Sequence, residues 1–190
     1  LKEQNEKWKS FIYAQKEGFY QGFEKIGIKG ARPTEERLKN YDIGKYLTKN
    51  KTALDIGSNC GFFSTHLAEY LKQVDGVEIN PFLASIGRDT AEFLGQRNVR
   101  FYATSFENFI AGMRYDLIFS LANDSTVDGN TKFRFPEYIG KIIFLLEDDG
   151  ILIFESQAED VYELKLFEPK LKLLKEKFEV IEDKMVKSNY

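Results

Sequence analysis

Residues 52–64, Thr-Ala-Leu-Asp-Ile-Gly-Ser-Asn-Cys-Gly-Phe-Phe-Ser, decide the fold of this 190-residue chain. A short apolar run ends at Asp55, and the chain then turns through Gly57 and Gly61 into an amphipathic segment. The pattern predicts a strand, a tight turn and a helix. The two glycines let the backbone approach a ligand closely, because they lack a Cβ and adopt positive φ at little cost. Asp55 places a carboxylate at the carboxyl end of the strand, where open α/β sheets bind ligands.

The turn lacks the glycines of a dinucleotide-binding fold. That fold requires glycine at positions 57, 59 and 62, whereas this chain has Asn59 and Phe62 at the last two. A nicotinamide oxidoreductase is therefore disfavoured. A second predicted strand, residues 73–79, carries Glu78, and an acid at this spacing accepts the hydroxyl groups of a ribose. The two motifs together predict a nucleoside-binding site.

The turn resembles the first motif of class I S-adenosylmethionine (SAM) methyltransferases, acid-x-Gly-x-Gly-x-Gly. Asp55, Gly57 and Gly61 match it, and Asn59 replaces the middle glycine. The resemblance implies SAM as cofactor, S-adenosylhomocysteine (SAH) as product and Glu78 as the ligand of the ribose. It also implies that the residues after the third strand lie at the adenine, although Phe106 is equally explained as a core residue. The cofactor-binding residues expected on this basis are Asp55, Gly57, Ser58, Asn59, Gly61, Phe62, Glu78, Ile79, Ser105, Phe106 and Leu121.

Apolar segments alternate with helical patterns along the rest of the chain. Strands are predicted at 52–56, 74–79, 99–103, 115–121, 151–154 and 178–181, and helices near 62–72, 81–94, 139–146 and 167–174. Near-continuous apolar strands separated by helices predict an α/β fold, a doubly wound, mostly parallel sheet with helices on both faces. The resemblance covers residues 50–183 and implies the Rossmann-like methyltransferase fold. Methyltransferases usually add a seventh, antiparallel strand, so we expect the domain at 51–190 to be truncated at its C-terminus.

Residues 1–50 predict an N-terminal helical arm or lid packed on the core. Aromatic residues within 5–25 recur at helical spacing, and residues 26–33 are expected to form a loop. The pattern around Arg32 and Arg37 resembles the lead-in of wobble-uridine tRNA-modifying and polysaccharide-cluster methyltransferases. Two arginines can clamp a carboxylate or phosphate. We therefore expect Arg32 and Arg37 to bind substrate, with surface arginines as the alternative.

Composition limits the partners and compartment of the protein. Residues 1–51 carry 12 basic and 7 acidic residues, whereas the whole chain has a net charge of −3. The net charge disfavours bulk nucleic-acid binding, and the basic N-terminal part favours an anionic substrate or a solvated basic helix. A single cysteine fits a reducing cytoplasm, and with a single histidine it predicts no metal site. No membrane-spanning run or secretory signal is present in the sequence.

The polar loop at 120–130, after the fourth strand, is the expected place of catalysis. Asp124 follows the strand end closely and is predicted to be a general base, with Asn123 orienting the acceptor. Glu155, at the end of the fifth strand, is predicted to line the acceptor site. The alternative for each residue is a solvated loop position. His66 lies beside aromatic residues at helical spacing, which favours packing over catalysis, and Cys60 is not expected to be a nucleophile.

These patterns predict a cytoplasmic SAM-dependent methyltransferase that acts on a small anionic or sugar-like acceptor. The alternatives are methyl or SAM-derived group transfer to a tRNA wobble base and a non-catalytic SAM-binding module. Salt-sensitive tRNA binding distinguishes the first alternative. Binding without turnover distinguishes the second. The acceptor atom and the oligomeric state do not follow from the sequence.

Overall fold

The computed structural model describes residues 2–8, 19–124, 131–156 and 164–186. Short helix α1 (Lys2–Lys7) is followed by an N-terminal pair of strands and then by a central α/β unit. Two single-turn 3₁₀ helices lie at Glu24–Ile26 and Gly44–Tyr46. The remaining elements, in chain order, are β1 (Phe19–Gly22), β2 (Gly30–Pro33), α2 (Thr34–Tyr41), β3 (Thr52–Ile56), α3 (Phe62–Leu67), β4 (Gln73–Glu78), α4 (Pro81–Phe93), β5 (Val99–Ala103), β6 (Tyr115–Leu121), α5 (Phe135–Leu145), β7 (Leu146–Glu155) and α6 (Leu164–Lys177).

The central sheet has five strands in the order β5-β4-β3-β6-β7, and every neighbouring pair is parallel. The chain moves outward from β3 to β5 and then crosses back to β6 on the other side of β3. This reversal creates a crevice at the carboxyl ends of β3 and β6, where doubly wound sheets bind ligands. The predicted fold class is confirmed.

Apolar residues cover both faces of the sheet. Neighbouring residues Ala53 and Leu54, both 0% exposed, point into different core clusters because side chains alternate along a strand. The cluster around Ala53 includes Phe63 and Leu67 of α3, and the cluster around Leu54 includes Ile142 of α5. Burial on both faces explains why the strands are almost continuously apolar.

The N-terminal prediction is wrong in part. Phe19–Gly22, expected within a helix, is strand β1, and Gly30–Pro33, expected in a loop, is strand β2. The two strands pair in parallel, with Gln21 opposite Arg32. A Cβ at Gly30 would lie 2.2 Å from the Gln21 carbonyl carbon, so a side chain at position 30 is incompatible with this pairing. Residues 9–18 of the predicted helix lie outside the described residues.

Two boundaries near the core also differ from the prediction. Helix α3 ends at Leu67 rather than near residue 72, and the chain leaves it through a turn. The strand predicted at 178–181 is wrong, because this segment is irregular. Val180 and Ile181 are 47% and 65% exposed. A β-prone segment forms a strand only where a partner supplies hydrogen bonds, and no ladder partner faces this one among the described residues.

Within the described ranges, none of the helices combines the length and apolar character needed to cross a bilayer.

Candidate functional site

The turn after β3 is fixed by backbone hydrogen bonds to the neighbouring strand. The amides of Gly57 and Ser58 both donate to the Val77 carbonyl oxygen, at 2.8 and 3.0 Å. The Gly61 amide closes the turn by donating to the Ser58 carbonyl oxygen at 2.9 Å. Gly57, Asn59 and Gly61 have φ of 70°, 54° and 72°. The turn therefore uses left-handed backbone at three positions, which is where glycine and asparagine are favoured.

Gly61 is required for packing as well as for backbone conformation. A Cβ at this position would lie 2.4 Å from Cε1 of Phe101 and 2.8 Å from Cα of Gly87. The turn, β5 and α4 therefore meet at Gly61. The same glycine that the motif predicts as a ligand contact is also the point of closest approach between these three elements.

Glu78 closes the crevice from the end of β4. Its carboxylate accepts the Asn59 amide on one oxygen and the Asn80 amide on the other, both at 2.8 Å. Glu78 is 3% exposed, and this burial raises its pKa to about 7 despite the two amide donors, with the Asp55 charge adding to the effect. Each carboxylate oxygen keeps acceptor capacity beyond one amide. Glu78 can therefore accept hydroxyl groups when it is ionised.

Asp55 lies at the end of β3 and is also buried. The Ser64 hydroxyl donates to its Oδ2 at 2.6 Å. Burial raises the pKa of Asp55 to about 6, while the Ser64 hydrogen bond and the Arg37 charge act in the opposite direction. Two buried carboxyl groups of the crevice thus ionise close to neutral pH.

A crevice opens between the cofactor turn, the end of β4 and α5. Its empty volume is about 300 Å³, including space that is open to solvent. The lining residues are Ile56, Gly57, Val77, Glu78, Ile79, Thr104, Phe106, Asn123 and Tyr138.

Not every predicted cofactor residue reaches this lining. Gly57, Glu78, Ile79 and Phe106 line the crevice, as does Asn123, which was predicted to be catalytic. The other predicted residues lie behind it or beside it: Asp55, Ser58, Asn59, Gly61, Phe62, Ser105 and Leu121.

Phe62 and Leu121 contact other parts of the molecule. Phe62 is 0% exposed and packs against Phe19 and Phe23 of the N-terminal part, with ring centroids 5.5 and 5.9 Å apart. Leu121 packs against the core cluster that contains Phe63. Both residues shape the site indirectly, through the turn and the end of β6.

Phe106 belongs both to the crevice and to the core. Its ring packs against Tyr138, with centroids 5.1 Å apart, and the residue is 2% exposed. The ammonium group of Lys141 donates to the carbonyl oxygens of Phe106, Glu107 and Phe109 at 2.6–3.0 Å. One lysine on α5 thereby holds the turn that carries Phe106.

Asn123 connects the ends of β6, β3 and α5. Its Oδ1 accepts hydrogen bonds from the Ser120 and Tyr138 hydroxyl groups, at 3.0 and 2.9 Å, and its Nδ2 donates to the Ile56 carbonyl oxygen. A Cβ at Gly57 would lie 2.6 Å from Nδ2 of Asn123. The side chain thus stands over the cofactor turn. Its role with the acceptor stays a prediction.

Asp124 contacts helix α6. Its side chain is 0% exposed, and Nζ of Lys170 lies 2.9 Å from its Oδ2. The same ammonium group lies 5.5 Å from the Phe135 ring centroid. Asp124 is absent from the crevice lining, and its role as a general base stays a prediction. The rest of the predicted catalytic loop, residues 125–130, lies outside the described residues.

Arg32, Arg37 and Glu155, which are far apart in sequence, form one charged cluster. Glu155 Oε2 accepts a hydrogen bond from Nη2 of Arg37 at 2.9 Å and from the Tyr41 hydroxyl at 2.5 Å. Nη2 of Arg32 lies 3.5 Å from the other oxygen, Oε1. Burial by itself would raise the pKa of Glu155, but the two guanidinium groups and Tyr41 hold it below its ordinary value. Two guanidinium groups thus converge on one carboxylate in this cluster.

His66 and Cys60 have structural surroundings. His66 packs edge-on against Phe23 and Tyr70, with ring centroids 5.8 and 5.4 Å apart, as the sequence predicts. Cys60 is 1% exposed, and burial raises the pKa of its thiol to about 12. A thiol of this kind is a poor nucleophile at neutral pH.

Comparison with known proteins identifies the family. The parallel sheet with its glycine turn and strand-end acids defines a Rossmann-like nucleoside-binding domain. A family model described as a methyltransferase domain matches residues 47–188, and the chain therefore belongs to this family. The predicted resemblance is confirmed. A curated relative, a protein-L-isoaspartate O-methyltransferase of Picosynechococcus sp., is 39% identical over 56 residues, which are 30% of this chain and 25% of the relative.

Solved structures share the fold. A protein described as precorrin 8w decarboxylase of Methanobacterium thermoautotrophicum has a TM-score of 0.60 at 18% identity, over 88% of this chain and 78% of that one. A SAM-dependent methyltransferase of Thiobacillus denitrificans, solved with SAH, has a TM-score of 0.52 at 18% identity, over 62% of this chain. This chain spans 46% of the length of the Thiobacillus protein and a quarter of the curated relative. The chain thus has the fold of SAM-dependent methyltransferases, and SAM is the cofactor expected in the crevice.

Proposed function

We propose that this domain transfers a methyl group from SAM to a small acceptor that carries negative charge. Family membership supports the reaction class, and the observation that carries the acceptor class is the convergence of two guanidinium groups at the carboxyl end of β7. Arg32 and Arg37 converge on Glu155, which follows Phe154 at the carboxyl end of β7. The Arg37 guanidinium carbon also lies 5.7 Å from the ring centroid of Phe63 at the start of α3, so the cluster lies close to the cofactor turn.

The residues of the crevice fit SAM. Gly57 and Gly61 give the turn a backbone without side chains, and the Ser58 hydroxyl is buried without a hydrogen-bond partner among the described residues. In this proposal, Glu78 accepts the ribose hydroxyl groups, Phe106 lies at the adenine, and Asp55 with Ser58 faces the methionine end. Bound SAM supplies an electrophilic methyl group on a sulfonium.

The chain's own contribution is to place the acceptor and exclude water. Methyl transfer is an in-line displacement, and fixing donor and acceptor at about 3 Å lowers the barrier by several kcal/mol. The side chains of Arg32, Arg37 and Glu155 are 18%, 12% and 25% exposed, so they can contact an acceptor in a site with little water. Anions bind guanidinium groups more strongly in such a site.

Binding tests the cofactor first. Calorimetric titration and thermal shift with SAM, SAH, NAD and ATP are expected to show binding of SAM and SAH alone. Glu78→Ala is expected to weaken SAH binding at least tenfold, because the ribose loses a charge-assisted acceptor worth about 1.5–3 kcal/mol. Stabilisation by NAD alone would contradict the proposal.

Turnover then tests the acceptor. SAH release is measured with matched carboxylate, phosphate and neutral acceptors, and with tRNA at low and high salt. Arg32→Gln is expected to reduce kcat/KM for the anionic acceptors about tenfold while SAH affinity stays unchanged. Arg88→Gln is the control, since Arg88 on α4 donates only to the Phe101 carbonyl oxygen in the contacts found for it. Salt-sensitive turnover of tRNA alone, a preference for neutral acceptors, or binding without any turnover each contradicts the acceptor class.

A further inference from the structure

Gln21 contacts the cofactor turn from behind, at two points. Its Oε1 accepts a hydrogen bond from the Phe62 amide at 3.2 Å, and its Nε2 donates to the Ser58 carbonyl oxygen at 3.4 Å. The residue is 4% exposed. Ser58 and Phe62 enclose the segment that contains Asn59 and Gly61, both at positive φ. One side-chain amide therefore spans the strained part of the turn.

The surroundings of Gln21 hold it in this position. Phe19 and Phe23 on either side of it pack against the Phe62 ring. Strand β2 pairs with β1 behind it, where Gly30 allows the close approach already described. Gln21 is therefore fixed by strand pairing on one side and by aromatic packing on the other, and its amide is presented to the turn in a single arrangement.

We propose that Gln21 is a positioning residue for cofactor binding. It keeps the Ser58 and Phe62 ends of the turn at the separation that the methionine end of SAM requires. The inference rests on the proposed function, since it concerns the same crevice. Two neutral hydrogen bonds support a turn whose Asn59 adopts φ of 54°, a conformation that costs free energy in a residue with a Cβ. Without them the turn relaxes, and cofactor binding has to restore it.

The pairing of β1 with β2 also connects Gln21 to the cluster of Arg32, Arg37 and Glu155. Gln21 lies directly opposite Arg32 in the register of the two strands. Gln21 contacts the cofactor turn, and Arg32 contacts Glu155. The strand pair β1–β2 thus contacts both the cofactor turn and the cluster of Arg32, Arg37 and Glu155. No motif in the sequence indicates this double contact.

Gln21→Leu tests the proposal, with SAH as the probe. This variant keeps a side chain of similar size and removes both hydrogen bonds. It is expected to weaken SAH binding about tenfold by calorimetry, because cofactor binding then has to restore the relaxed turn. Gln73→Leu is the matched control, because Gln73 donates to Asp75 at 3.0 Å at the opposite end of β4. The control is expected to bind SAH within twofold of the wild type, and unchanged affinity in Gln21→Leu would overturn the proposal.

Gln21→Glu separates positioning from packing. A protonated carboxyl group offers one acceptor and one O–H donor, as the amide does, whereas a carboxylate offers acceptors only. The ratio of variant to wild-type SAH dissociation constants is expected to be within about threefold at pH 5.5 and to exceed tenfold at pH 8. Taking the ratio removes the titration of Glu78 and Asp55, which both proteins share. Position 21 is 4% exposed in the wild type, so burial is expected to raise the pKa of the introduced carboxyl group and to favour its protonation at the lower pH. A ratio within about threefold at both pH values would overturn the proposal, even if Gln21→Leu does not fold.

The proposed function and this inference fail separately. If wild-type protein does not bind SAH, the proposed function fails. If wild-type protein binds SAH and the Gln21 variants bind it equally well, only the positioning role fails.

Discussion

The two halves of the site are built in different ways. The cofactor half consists of backbone amides, glycines and two buried acids on β3, β4 and the turn between them. The proposed acceptor half consists of side-chain ion pairs that join α2 and β2 to the end of β7, and α6 to the loop after β6. Asn59 and Glu78 are 19 residues apart in the chain, whereas Arg37 and Glu155 are 118 apart.

This difference has an energetic consequence. The cofactor half depends on backbone conformation and on the absence of side chains, so a single Cβ disrupts it. The acceptor half depends on compensation between charges, so removing one partner leaves a buried charge behind. We therefore expect the two halves to respond to different substitutions.

Gly61→Ala is expected to have the largest effect. It places a Cβ against Phe101 and Gly87 and forces alanine to φ of 72°, and we expect a loss of about 4 kcal/mol in the free energy of unfolding. Urea denaturation measures the loss. Gly95→Ala is the control, because Gly95 has φ of 68° with nothing within 4 Å of a Cβ, and backbone strain alone should cost about 1 kcal/mol there. Equal losses in the two variants would show that packing at Gly61 contributes little.

Arg37→Met tests the acceptor half. It leaves Glu155 with Arg32 and Tyr41, and the variant is expected to lose about 3 kcal/mol of stability, toward the value for a broken buried pair. Arg114→Met is the control, because Arg114 pairs with Glu147 and Asp148 at a surface where it is 43% exposed. The control is expected to lose less than about 0.5 kcal/mol. Similar losses of stability in Arg37→Met and Arg114→Met would show that the buried cluster at Glu155 contributes no more than a surface ion pair.

Glu78→Gln tests the buried acids through pH. The folded-state pKa of about 7 exceeds the ordinary value of 4.5, so the folded state binds this proton more tightly. The stability from this proton is full below about pH 4.5 and is lost as pH rises to 7. Wild type minus Glu78→Gln stability is therefore expected to fall by on the order of 2 kcal/mol across this window, a change that belongs to the coupled pair with Asp55. A flat or rising difference in denaturation curves would contradict the assignment.

Lys170→Met is expected to have the smallest effect. Lys170 pairs with the buried carboxylate of Asp124, but Lys170 is itself 18% exposed, so solvent screens the pair and its removal should cost about 1.5 kcal/mol rather than the about 3–5 kcal/mol of a fully enclosed pair. Lys172→Met on the same helix is the control, since Lys172 and Glu176 are 79% and 55% exposed and lie 4.0 Å apart. Differential scanning calorimetry compares the two variants. A loss in Lys170→Met no larger than in the control would mean that α6 is not fastened to the end of β6 by this ion pair.

The sequence predicted the central fold because its signals are local. β3, β6 and residues 151–154 of β7 are mostly apolar runs, and the helices between the strands show apolar residues at helical spacing. Where the prediction was wrong, the local sequence pattern favoured one structure, but the presence or absence of a pairing strand decided the outcome. Phe19–Gly22 has aromatic residues at helical spacing, but it pairs with β2 and packs on α3. The segment 178–181 is β-prone, but it forms no ladder.

The residues of the candidate site also fall into those that the sequence predicted and those that it did not. Gly57 and Glu78 were found from spacing alone, and both line the crevice. Thr104 and Tyr138 also line it, and Gln21 contacts the turn, yet none of the three carries a motif. Tyr138 lies next to the helix predicted near 139–146, and nothing in its local sequence indicates that its hydroxyl group contacts Ser120 at the end of β6. The signal for Gln21 was equally weak, because β1 was predicted as helix.

The amino-acid sequence by itself determined the order of strands and helices from β3 to β7, the glycine turn and the acid at Glu78, since these depend on neighbours in the chain and on local backbone preference. Only the tertiary structure decided that Arg32 and Arg37 share Glu155, that Asp124 turns toward Lys170 and that Gln21 supports the cofactor turn. The physical reason is that partners for buried charges and amides are chosen by proximity in the folded chain, and proximity between distant residues is set by how the layers pack.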